Sequence, residues 1–231
     1  MQVSIVEQVV FEDNHLIGIN KRAGQLVQPD NDFTEESLED YVKEYVRVKY
    51  KKPGDAFLGV IHRLDRPVSG LVLFARTSKA LERMNKLFSS RQIDKTYYAL
   101  VHGKPKEPEG NLVHYLVKDT DRNITQAYNN NKRGNGVRAE LNYKVIRIGG
   151  DFCLLEVHPL TGRPHQIRVQ LSKIGHPIVG DLKYGSDKTN PDRSICLHAL
   201  ALEFIHPVKK EPIRIEAPMG DDHLIYLYID Q

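Results

Sequence analysis

Short apolar runs bounded by turn residues alternate along this chain with stretches of helical spacing. Residues 5–10 and 16–20 read as two strands around the turn Glu12-Asp13-Asn14. Thr34 caps a helix starting at Glu35, with Leu38, Tyr41, Val42, Tyr45 and Val46 on one apolar face and Pro53-Gly54 as its stop. Residues 57–61 and 71–75 are uninterrupted apolar runs and read as buried strands. A second helix follows Thr77 or Ser78, its buried stripe supplied by Leu81, Met84, Leu87 and Phe88. Residues 93–103, 111–118, 139–148 and 152–157 are β-rich, with a polar loop at 129–136 whose Asn135-Gly136 is a hairpin signal. Pro164 opens a helix carrying Ile167, Leu171 and Ile174, and Gly175 closes it. Residues 195–205 and 213–217 read as closing strands, and Leu224, Ile225, Leu227 and Tyr228 as a terminal helix. Strands and helices mixed in this order predict an α+β fold: a mixed, mostly antiparallel central sheet with flanking helices.

Length makes that picture a single domain, residues 1–231, with enough chain to bury a core unaided. No apolar stretch approaches the span of a bilayer, and the first residues lack the basic start and apolar block of a signal peptide, so a cytoplasmic protein is expected. Cys153 and Cys196 sit in apolar runs without metal-ligand spacing and read as reduced core residues; no metal site is expected. The net charge of +3 does not by itself demand a nucleic-acid partner. Clusters of basic residues at 47–52, 63–66, 83–95 and 163–168 become informative only if they line one groove.

The chemistry concentrates in the loop between the two buried runs, His62-Arg63-Leu64-Asp65-Arg66-Pro67-Val68-Ser69-Gly70. Asp65 is bracketed by Arg63 and Arg66, whose charges favour the carboxylate form. Core strands on both sides hold it rigidly, as a nucleophile or base requires. A solvated turn aspartate is the ordinary alternative for such a loop.

These residues, with the run through Leu71-Val72-Leu73-Phe74-Ala75-Arg76-Thr77, resemble the catalytic motif of the RluA-type pseudouridine synthases, with Val68 where the family usually has Thr. Residues 158–185, from His158-Pro159-Leu160-Thr161-Gly162-Arg163 to Lys183-Tyr184-Gly185, resemble the same family's downstream motif. Lys95, Tyr97 and Ala99 match its Lys-x-Tyr-x-Ala strand, and Lys21-Arg22-Ala23-Gly24 its Lys-Pro-x-Gly turn, with Arg22 in place of proline and a less rigid loop expected. The resemblance runs from about residue 17 to residue 218 and implies the pseudouridine synthase fold with its catalytic cleft. The extra RNA-binding module that larger relatives carry ahead of the catalytic domain is not expected here.

The resemblance implies an isomerase that detaches uracil from C1′ of a uridine in ribosomal or transfer RNA, rotates it and rejoins it through C5. No redox partner or energy source is required, so no cofactor is expected. Asp65 is then the essential catalytic group, Arg168 its cationic partner, and Tyr97 the ring that stacks on a flipped base, a contact worth about 1–3 kcal/mol. A cation near a helix N-terminus opposes the dipole, so Arg168 calls for a carboxylate partner such as Asp65. His62, Arg63, Arg163, His165 and Gln166 are the candidate RNA contacts, Arg63 as a planar group for the space a flipped base vacates and His165 and Gln166 as polar groups near a helix start. A monomer with no obligate protein partner is expected. The competing class is a noncatalytic RNA-binding module that kept the fold, for which loss of Asp65 or Arg168 would be the sign; both are present. A glycosidase-like hydrolase usually needs two carboxylates flanking the bond, and only Asp65 sits in such a motif.

Overall fold

The computed structural model describes residues 4–29, 35–131, 134–221 and 223–229. By backbone contacts the chain divides into two compact units, one made of Met1–Asp94 with Leu200–Pro218 and the other of Lys95–Ala199 with Met219–Gln231.

The first unit begins with α1 (Ile5–Gln8), β1 (Val9–Glu12) and β2 (Leu16–Lys21). The first four residues of the expected strand at 5–10 are thus helical: the Ser4 hydroxyl accepts from the Val6 N–H at 3.3 Å and caps a short turn that a β-branched run does not advertise. Next come α2 (Leu38–Lys49), β3 (Gly59–Val60), β4 (Ser69–Ala75) and α3 (Ser78–Ser89). The cap expected at Thr34 lies outside the described residues. The helix starts later than expected, because Ser37 and Asp40 form a reciprocal capping box. The strand expected over 57–61 shrinks to β3, which pairs antiparallel with Phe74 and Ala75, and Phe57 is exposed.

Alternation along β2 and β4 explains why these strands read as continuous apolar runs. Leu16, Leu71, Leu73 and Ala75 face a cluster completed by Ala80 and Met84 of α3. Their neighbours Ile17, Ile19, Val72 and Phe74 face Leu38, Val42 and Val46 of α2. A sheet buried on both faces needs apolar residues at every position. Residues of β10 (Leu197–Ile205) and β11 (Pro212–Glu216), which pair antiparallel, add Leu202, Phe204 and Ile215 to the α3 side.

In the second unit, β5 (Asp94–His102), β6 (Glu109–Asp119), β7 (Ile124–Tyr128), β8 (Val137–Gly149) and β9 (Phe152–Pro159) pair in the order β5-β9-β8-β6-β7, every described pairing antiparallel. Sequence patterning omits β7. Asn135-Gly136 joins no hairpin of paired neighbours, since β7 pairs with β6, and β6 in turn with β8. The helix α4 (Gln166–Lys173) and a single 3-10 turn (Leu182–Tyr184) follow, and α5 (Leu224–Ile229) packs on β8 and β9. Both cysteines are free and buried. Among the described residues no cluster of three or more His, Cys, Asp or Glu could hold a metal ion, and no helix is long and apolar enough to cross a membrane.

Candidate active site

The loop carrying Asp65 leaves β3 and enters β4, and it is tied down residue by residue. Ile61 is buried in the cluster on the α3 side, Leu64 packs against the cluster on the α2 side, and Val68 is 2% exposed. The Val68 N–H donates to the Asp65 carbonyl at 3.0 Å, closing a turn through Arg66 and Pro67. Gly70 has φ +112°, which a residue with a Cβ rarely adopts. Valine in place of the usual threonine therefore sits at a position where an apolar side chain fits. His62 faces inward: its Nε2 accepts from the Leu73 N–H at 3.1 Å and its ring stacks on Phe88 with centroids 5.1 Å apart. Asp65 is half-buried and Arg63 exposed.

A second segment braces the loop from beneath. The Gly24 N–H donates to the Arg66 carbonyl at 2.8 Å, and Arg66 returns Nε to the Gly24 carbonyl at 3.0 Å and Nη2 to Glu35 at 2.8 Å. Arg22 keeps a backbone N–H that proline would lack, and it donates this to Gln25 Oε1 at 2.8 Å, so hydrogen bonding supplies order that the missing proline does not.

The residue that sequence reading missed is Lys21. Its side chain is fully buried, and Nζ donates to the carbonyls of Arg22, Arg66 and Val68 at 2.9, 3.1 and 2.6 Å. Burial pushes its ammonium down from the ordinary 10.5 to about 7, while the Asp65 charge pulls it back up and Arg66 pushes it further down. The three carbonyl acceptors match the three N–H donors of the ammonium, which works against the effect of burial. The signal was available: Lys21 continues the alternation of Ile17 and Ile19, putting its side chain on the inward face of β2.

In the second unit, Tyr97 pairs with Val157 in the β5–β9 ladder. Tyr97 and Tyr98 are both half-buried, so burial does not separate them. Thr161 and Gln166 lock the turn into α4: Gln166 Oε1 accepts from the Thr161 hydroxyl at 2.7 Å and the Arg163 N–H at 3.0 Å, and Nε2 donates to the Glu140 carbonyl at 3.0 Å. The Gln166 amide is thus engaged inside the unit rather than presented outward. Arg163 donates Nε to the Arg138 carbonyl at 3.4 Å. The expected helix start at Pro164 moves to Gln166, because His165 takes a left-handed conformation at φ +54° and serves as the N-cap. Its Nδ1 lies 2.7 Å from the Tyr184 hydroxyl.

Arg168 is 5% exposed and has a carboxylate partner in its own unit, Asp181, which is 1% exposed. Nε meets Oδ2 at 2.7 Å and Nη2 meets Oδ1 at 2.8 Å, a bidentate pair, and the guanidinium lies 5.0 Å from the centre of the Tyr184 ring. Asp181, thirteen residues downstream, thus supplies Arg168 with a counter-charge inside the same unit. Burial pushes the Tyr184 phenol up, and its oxygen accepts from the Thr125 N–H at 2.9 Å.

Comparison with known proteins identifies the family. Residues 15–173 match the family described as RNA pseudouridylate synthase. The ribosomal large subunit pseudouridine synthase C of Vibrio vulnificus is 31% identical over 92% of this chain and 66% of its own length. The tRNA pseudouridine synthase C of Vibrio parahaemolyticus is 29% identical over 93% of this chain and 91% of its own. The chain therefore spans about two thirds of the first of these relatives and about nine tenths of the second. Among solved structures, human RNA pseudouridylate synthase domain containing 4 shares the fold at a TM-score of 0.79 and 21% identity, covering 96% of this chain and 92% of that one. Human RNA pseudouridylate synthase domain containing 1 does so at 0.74 and 26%, covering 95% and 86%. The chain belongs to the RNA pseudouridylate synthase family, a class of isomerases, and has its fold.

Proposed function

We propose that this protein converts specific uridines of ribosomal or transfer RNA to pseudouridine, with Asp65 as the essential catalytic group. The observation that carries the reading is the bracing of the Asp65 loop, in a chain of this family, by a fully buried lysine and by anchors on both faces of a sheet. A carboxylate spends that much structure only where its position matters. In the reaction the bond from N1 to C1′ breaks, a bond from C5 to C1′ forms, the C5 proton leaves and N1 gains one, so the product is an isomer of the substrate. Arg168 serves as the cationic partner of the reacting carboxylate and Tyr97 as the surface for the base. Arg63, exposed beside Asp65, is the first candidate to contact RNA. The names of the relatives support ribosomal or transfer RNA as substrate.

The test is Asp65→Asn, which keeps size and removes charge. The variant should melt near the parent temperature, bind RNA and release no tritium from RNA labelled at uridine C5. Appreciable product from it would remove Asp65 from the mechanism, and binding without product from the parent protein would favour the noncatalytic reading.

A further inference from the structure

The buried pair of Arg168 on α4 and Asp181 beyond it is more elaborate than stability explains. Replacing a buried ion pair by well-packed apolar residues is often neutral or stabilising, so burying Arg168 with Asp181 needs another reason. The carboxylate is itself held in place by a tight turn. The Asp181 N–H donates to the Ile178 carbonyl at 3.0 Å, and the Asp181 carbonyl accepts from Tyr184 and Ser186 at 3.1 and 3.0 Å. Gly180 ahead of it has φ +87°, and a Cβ there would lie 2.6 Å from the Asn190 amide. The guanidinium rests over Tyr184, whose hydroxyl is fixed by Thr125 and His165.

A guanidinium offers five N–H groups in one plane. Asp181 takes two of them, on Nε and Nη2. Once these are fixed, the plane and the direction of the other three are fixed as well. We propose that Asp181 is a positioning residue of the reaction: it clamps one edge of Arg168 so that the opposite edge is presented to anionic oxygen in a single orientation. This rests on the reading that Arg168 serves the chemistry. Lysine at position 168 would carry the charge without the fork, and asparagine at 181 would set an amide N–H against a guanidinium N–H.

The experiment measures single-turnover tritium release at saturating protein, with RNA from cells lacking the protein and labelled at uridine C5, for the parent, Asp181→Asn, Arg168→Met and the double variant. Asp181→Asn should lower the rate constant by roughly tenfold or more while RNA affinity stays within about twofold. The double variant should be no slower than Arg168→Met alone, because Asp181 acts through Arg168. A purely structural role would lower the amplitude, through misfolded protein, and leave the rate constant of the remainder intact; that outcome overturns the proposal. So does a double variant slower than Arg168→Met by the whole factor of Asp181→Asn. If Arg168→Met itself reacts at the parental rate, the role of Arg168 fails first and the proposal falls with it. Should Asp181→Asn not fold, Asp181→Glu keeps the charge but displaces it by a methylene, and the same comparison with Arg168→Met applies.

Discussion

Lys21 shows how much of this site is decided by one side chain. Its three carbonyl partners all lie in the Asp65 loop or the segment bracing it, so its removal loosens the floor of the loop. Lys21→Met fills the volume but leaves those carbonyls short of a donor, and a loss of about 2 kcal/mol in stability is expected. The pH dependence has a definite sign. With the folded-state value near 7 and the ordinary value 10.5, the unfolded chain binds more protons between them, so the parent gains stability as pH rises through that window. Methionine does not titrate there. The stability gap between parent and variant should therefore widen from pH 7 toward 10, as read by urea melts at each pH. A flat gap would mean that the three carbonyls hold the lysine at its ordinary value. Asp65 was singled out from the sequence because its motif is contiguous. Lys21 was not singled out, because it is brought to the loop by strand pairing: Lys21 sits opposite Gly70 in the β2–β4 ladder. Asp181 was hidden for a related reason, its pairing with Arg168 depending on a turn that only the folded chain displays.

At the scale of elements, strongly patterned segments were readable and weakly patterned ones were not. The buried faces of α2 and α3, the runs of β2 and β4 and the closure of α4 at Gly175, with φ +87°, all follow from spacing and punctuation. The strand β7 escaped because it ends its sheet path and carries polar residues at its centre; Thr125 is nevertheless 3% exposed, its hydroxyl donating to the Pro164 carbonyl at 3.2 Å. The start of α2 was misplaced because acidic residues at 35 and 36 look like a first turn. The box residues decide the matter: the Ser37 N–H donates to Asp40 Oδ2 at 3.0 Å and the Asp40 N–H to the Ser37 hydroxyl at 3.4 Å. Ser37→Ala should cost about 1 kcal/mol. For a chain of this size that lowers the melting temperature by about 2–4 °C. The single-turnover rate should be unchanged, since α2 carries none of the proposed catalytic groups. An unchanged melt would show that the helix start is held by tertiary packing alone.

The path of the whole chain sets how the molecule comes apart. Neither compact unit is a continuous segment: the first needs Leu200–Pro218 and the second needs Met219–Gln231. The returning segment supplies Leu202, Phe204, Ile215 and Ala217 to the cluster around Leu16, Leu71 and Leu73, all of them at most 6% exposed. The last segment places Ile225 and Ile229 in the core of the second unit, where the backbone of Ile229 comes so close to Gly149 that a Cβ there would lie within 2.3 Å of it. Burying a large apolar side chain contributes about 1.5–3 kcal/mol, so losing the four residues of the returning segment would remove roughly 5–8 kcal/mol, comparable to the whole stability of an ordinary domain. A chain ending at Ala199 should therefore lose the cooperative melt of the first unit and bind a dye for exposed apolar surface. The full chain, whose two units each depend on a segment that first passes through the other, should unfold in one calorimetric transition with equal calorimetric and van't Hoff enthalpies. Two resolved transitions, or a truncated chain that still melts like the parent, would show that the units are independent and that the single domain expected from length is two.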